Sequence, residues 1–176
     1  ADGTGTIALQ NQLSGMTSTS MPTGSVLQVV STTKTDTWSS SSTSMQPVTG
    51  LSVTITPSSA SSKVLVTCAV MTAGRSNQRG AVRLTRGGTI IGVGDAAGSR
   101  LRASSTNLLG RERDDQSQSV PITFLDSPNT TSAVTYQIEA WRESTEVAYI
   151  NLTHLESDDA TIARGASSIT AMEIKG

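Results

Sequence analysis

Aromatic side chains are nearly missing from this chain. Only Trp38, Phe124, Tyr136, Trp141 and Tyr149 are Phe, Trp or Tyr, 3% of 176 residues, so no core can be built around large aromatics. Apolar residues altogether reach 35%, below the roughly 45–50% of an average globular domain. A core of Val, Ile, Leu and Ala is possible, because β-branched side chains pack well on a pleated surface, but it would be thin. A thin core in a Ser/Thr-rich chain points to burial gained by association, for which a closed homo-oligomer is the commonest route.

Other scarcities narrow the field further. The single Cys68 excludes an intrachain disulfide and leaves stability to packing. Within the strand-like run Val64–Val70 it reads as a small buried hydrophobe. His154 is the only histidine, so one chain cannot assemble a multi-histidine metal site. Only a trimer axis could gather three copies, and an ordinary partly exposed imidazole is the preferred reading. No apolar run of 18 residues occurs, and the formal net charge is −1. Membrane insertion and nucleic acid are therefore not expected as partners, and no cofactor is expected.

What the chain does have is rhythm. Short runs of alternating apolar residues are separated by Ser/Thr/Gly/Pro punctuation. In Ile55-Thr-Pro57-Ser-Ser-Ala-Ser-Ser-Lys63-Val-Leu-Val66 a strand stops at Pro57, small hydroxyl residues turn the chain, and the next strand begins. Leu51, Val53 and Ile55 alternate with hydroxyls, Ala133–Trp141 alternates over nine residues, and Lys63–Met71 is apolar enough to be covered on both faces. Gly87-Gly88 between Ala81–Arg86 and Thr89–Val93 marks a hairpin with a primed turn. Glu146–Leu152 is expected to pair with Ala133–Trp141. These signals predict an all-β antiparallel sandwich, jelly-roll-like, of about eight or nine strands over residues 23–176. No convincing amphipathic helix is found. Residues 1–22, with the short apolar alternation Ile7 and Leu9, read as an extended arm or connector whose contacts lie on a partner.

Chemistry-bearing motifs are few. Gly92-Val-Gly94-Asp-Ala-Ala-Gly98 misses the dinucleotide spacing by one residue and has no βαβ context. Asp114-Asp115 and Asp158-Asp159 follow no calcium-loop pattern and read as solvated loop charges. The long polar stretch Gly94–Ser119 holds the main charge cluster, Arg100, Arg102, Arg111, Glu112, Arg113, Asp114 and Asp115. Four arginines nearly cancel three acids, which favours ion pairing between subunits. A receptor-facing loop is the other reading. No catalytic residue and no metal ligand is singled out.

Gly3-Thr-Gly-Thr-Ile-Ala-Leu9 resembles the connectors between modules of bacteriophage tail fibres, and Met21-Pro-Thr-Gly-Ser-Val-Leu-Gln28 is similar to the start of many phage fibre and collar domains. Thr56–Val66, Gly92–Gly98, Phe124-Leu-Asp-Ser-Pro128 and Thr135-Tyr-Gln137 together resemble a tail-fibre-like module of marine and cyanobacterial phages, over most of residues 21–176. The resemblance implies a trimeric β-sandwich in a virion, made in the bacterial host cytoplasm and anchored to other virion proteins by its arm. Its expected job is host attachment at a tail-fibre tip, on a surface glycan or protein. Capsid decoration, stabilising the phage head, is the alternative, and a small glycan hydrolase comes third.

Overall fold

The computed structural model describes residues 17, 20–74, 79–106, 114–143 and 147–176. Among them the chain forms β1 (Val26–Lys34), β2 (Trp38–Ser40), β3 (Gln46–Ile55), β4 (Lys63–Ala73), β5 (Gly80–Arg86), β6 (Thr89–Ile91), β7 (Ser105–Thr106), β8 (Ser117–Asp126), β9 (Val134–Arg142), β10 (Ala148–Ile150) and β11 (Ser167–Ile174), with no helix among the described residues. One sheet runs β1-β11-β4-β8, with the short β10 and β2 continuing past the end of β11 along the same side of β4. The other runs β3-β9-β5, with β6 and β7 sharing the far side of β5. All pairings are antiparallel. Leaving out the short strands β2, β7 and β10, eight strands remain, and their order, first-last-third-sixth against second-seventh-fourth-fifth, is that of a jelly roll.

The alternation visible in the sequence decides what is inside. Leu51, Val53 and Ile55 of β3, Val64, Val66 and Val70 of β4, Tyr136 and Ile138 of β9 and Ile169 and Ala171 of β11 together fill the core between the sheets. Cys68 lies in the same layer, and burial pushes its thiol up to about 12, so it serves as a small apolar filler. The β5–β6 hairpin turns through Gly87 and Gly88 at φ of 52° and 82°. Those are the left-handed angles of a primed turn, which side chains other than glycine adopt at a cost.

Polar groups tie the sheets at their margins. Asp126, at the end of β8, accepts from Arg86 Nη1 with both carboxylate oxygens at 2.8 Å and from Tyr136 Oη at 2.7 Å, bridging one sheet to the other. Buried Glu173 of β11 accepts from Gln28 Nε2 at 2.6 Å and from the Ser58 amide and hydroxyl at 2.7 and 2.6 Å. Asn151, at φ of 63°, donates to the Lys34 and Asp36 carbonyls and accepts from Ser167 Oγ. Asparagine tolerates that conformation better than most residues.

Four expectations change. The strands number eleven among the described residues, because β2, β7 and β10 are two- or three-residue segments too short to show a period. β10 does not pair with β9: the chain crosses between sheets after Arg142, and β10 joins β4 and β2. The stretch Gly94–Ser119 is shorter as a loop than expected, since β7 interrupts it and β8 begins at Ser117. Finally, β4 is covered by the other sheet on its inner face only. Leu65, Thr67 and Met71 on its outer face are half-buried and Ala69 is exposed.

Candidate functional site

The two outer faces of the sandwich differ in chemistry. On the β3-β9-β5 sheet, residues in the outward phase of β9 and β5 place Glu139 opposite Arg83 and Trp141 opposite Ala81. Arg83 Nε donates to Glu139 Oε2 at 2.6 Å, with both side chains under one-fifth exposed. Trp141 Nε1 donates to the Thr43 carbonyl at 2.7 Å, which fixes the indole over its small cross-strand neighbour. The ring borders an open groove of about 230 Å³ shared with Ala81, Leu101, Thr106 and Arg79. Arg79, at the same end, is paired with Glu143 at 3.3 Å and stays largely in water.

This face is therefore an aromatic and apolar floor with an Arg–carboxylate pair at each side. Such a surface can hold a flat ligand by stacking and by hydrogen bonds from fixed donors and acceptors. Ser104 anchors the preceding loop by donating its amide to the Val82 carbonyl at 3.0 Å and accepting the Leu84 amide at 3.1 Å. Leu101 is thereby held beside the strand that carries Arg83.

The outer face of the other sheet has no such groups. Register aligns Val29, Met172, Leu65 and Leu125 in one row across β1, β11, β4 and β8. The next row is Ser31, Thr170, Thr67 and Thr123, with the Ser31 and Thr170 hydroxyls 2.8 Å apart. The third is Thr33, Ser168, Ala69 and Pro121.

The residues singled out from sequence scatter. Ile7, Leu9, Arg111, Glu112 and Arg113 lie outside the described residues. Arg100 and Arg102 are exposed on the β6–β7 loop, where Arg102 Nε donates to the Gly94 carbonyl at 2.8 Å. Asp114 and Asp115 are half-buried just before β8, and the Asp114 carbonyl accepts the Leu155 amide at 3.0 Å. His154 packs edge-on against Tyr149 at 5.7 Å between ring centroids. Asp158 and Asp159 are exposed, and the Thr161 amide and hydroxyl hold the Asp159 carboxyl below its ordinary value. Among the described residues no three His, Cys, Asp or Glu side chains gather as a metal site requires.

Arg83, Glu139 and Trp141 were not picked out as a group, because cross-strand register is invisible in one strand. One signal was available. Trp141 falls in the polar phase of β9, with Thr135, Gln137 and Glu139, where an aromatic has no core to enter. No protein-family model matches the chain, and no curated protein matches it.

Proposed function

We propose that this chain is a non-enzymatic structural protein of a tailed-phage virion, a homotrimeric module of the tail-fibre type that attaches the particle to its host. The observation that carries the reading is the groove beside Trp141, a fixed indole flanked by Arg83–Glu139 and Arg79–Glu143 on a rigid sheet. Sugar rings offer an apolar C–H face to an aromatic side chain and hydroxyls to Arg and carboxylate groups, so a surface glycan suits this floor better than a flat protein does. The jelly roll supports the reading by analogy alone, since the same architecture serves capsid and lectin domains and many others. The resemblance to tail-fibre-like modules over most of residues 21–176 adds the virion context. Capsid decoration stays the alternative, with an arm that adds a strand to an exposed edge of the coat.

Labelling the chain and imaging intact particles tests the proposal. Signal at the tail end in a few copies is the expected result, followed by glycan binding that falls at least tenfold in Trp141→Ala. Signal spread over the head in hundreds of copies would overturn attachment in favour of decoration.

A further inference from the structure

We infer that the outer face of the β1-β11-β4-β8 sheet is the surface through which copies of this chain meet. The inference rests on the oligomeric part of the reading above and assigns it a place.

Of the five large hydrophobics most exposed among the described residues, three lie together here: Val26 at 48%, Val29 at 55% and Leu125 at 48%. Val26 pairs with Ile174, one step from the row that joins Val29 to Met172, Leu65 and Leu125. Six apolar side chains thus form one contiguous patch, and scattered exposure would not produce it. Hydroxyl, Ala and Pro side chains extend the face without a charge, and Lys63 at its margin is the only charged side chain pointing outward from these four strands. At the far end the loop before β11 closes over the sheet, where a Cβ at Gly165 would sit 2.8 Å from the Met71 side chain. The free area begins where that cover stops.

A second copy is the occupant that fits. Around a three-fold axis the same residues of three copies converge, so a charged face turned toward the axis would repel itself. A face of this composition has no such penalty, whereas the β9 face with Arg83 and Glu139 is built for something else. Four strands about 4.8 Å apart, over four rows about 6.8 Å apart, span roughly 500 Å². That is over half of the ~800 Å² per partner in a standard interface. The outer edges of β1 and β8, which pair with no described strand, can supply the rest. The arm is a poorer occupant, since Ile7 and Leu9 cannot cover six apolar side chains.

Sedimentation velocity of the full chain over a concentration series tests this. Wild type is expected to be oligomeric, the double variant Val29→Asp/Leu125→Asp monomeric with an unchanged far-ultraviolet dichroism spectrum, and Thr135→Lys on the opposite face still oligomeric. If the aspartates disturb the fold, Val29→Thr/Leu125→Thr reads the same equilibrium, with association at least tenfold weaker. A monomeric wild type would overturn both the inference and the oligomer it rests on. An oligomer that persists in both double variants would overturn the face alone. Dissociation by Ile7→Asp/Leu9→Asp, but not by the face variants, would hand the contact to the arm and overturn the inference too.

Discussion

Glu173 is 1% exposed and yet is more acidic than an ordinary glutamate. Burial by itself would raise its pKa, but hydrogen bonds from Ser58 and Gln28 outweigh that and hold the carboxyl below its usual value. A folded-state pKa below the unfolded one, near 4.3, means that the ionised group stabilises the fold fully above that pH. The contribution is lost as pH falls through the folded value. Glu173→Gln turns an acceptor-only group into one that also brings donors toward Ser58 and Gln28. Its thermal midpoint is expected to lie below wild type at pH 7, by about 1–3 kcal/mol of stability, and the gap is expected to narrow toward pH 3. An equal gap across that range would mean that the charge contributes nothing. In the sequence only the phase of Glu173 was legible, on the face of Ile169 and Ala171. Its partners lie over a hundred residues away, so nothing local announced that an acid on that face would be satisfied.

At the scale of elements, long strands were legible and short ones were not. β3 and β9 declare themselves by alternation, and the β5–β6 hairpin by its two glycines. β2, β7 and β10 are defined by hydrogen bonds to neighbours. The pairing assigned to β10 failed because adjacency in sequence is a weak guide where the chain changes sheets. Local composition is a poor guide at one turn as well. Asp126 in Asp-Ser-Pro-Asn reads as a turn residue hydrogen-bonding its own backbone, whereas its carboxylate is buried between Arg86 and Tyr136. That pair joins β8 to β5 and β9, so Asp126→Ala leaves a guanidinium and a phenol without their acceptor at the seam of the sandwich. A loss of about 3 kcal/mol is expected, at the low end for a broken buried pair because Arg86 is partly exposed. Urea unfolding measures it, with Asp95→Ala on the exposed β6–β7 loop as a near-neutral control. A cost below that of the control would mean that the seam is held by packing alone.

For the whole molecule, the scarcity of apolar residues and the half-covered central strand point the same way. After Lys63 at its start, β4 carries apolar or uncharged side chains on both faces, but one sheet covers only its inner side. A sequence that spends Leu65, Met172 and Leu125 on an outer face, with so few large hydrophobics available, gains nothing from them as a single chain. If that face is buried between copies, unfolding releases subunits and becomes concentration-dependent by mass action. For a trimer of chains this size, each tenfold dilution is expected to lower the thermal midpoint by about 2–4 °C. Val29→Asp/Leu125→Asp is expected to unfold at a lower midpoint that no longer moves with concentration. Differential scanning calorimetry over two decades of concentration separates the cases. A midpoint constant in wild type would show that the thin core suffices by itself, and the outer row would then be surface with no energetic role in folding.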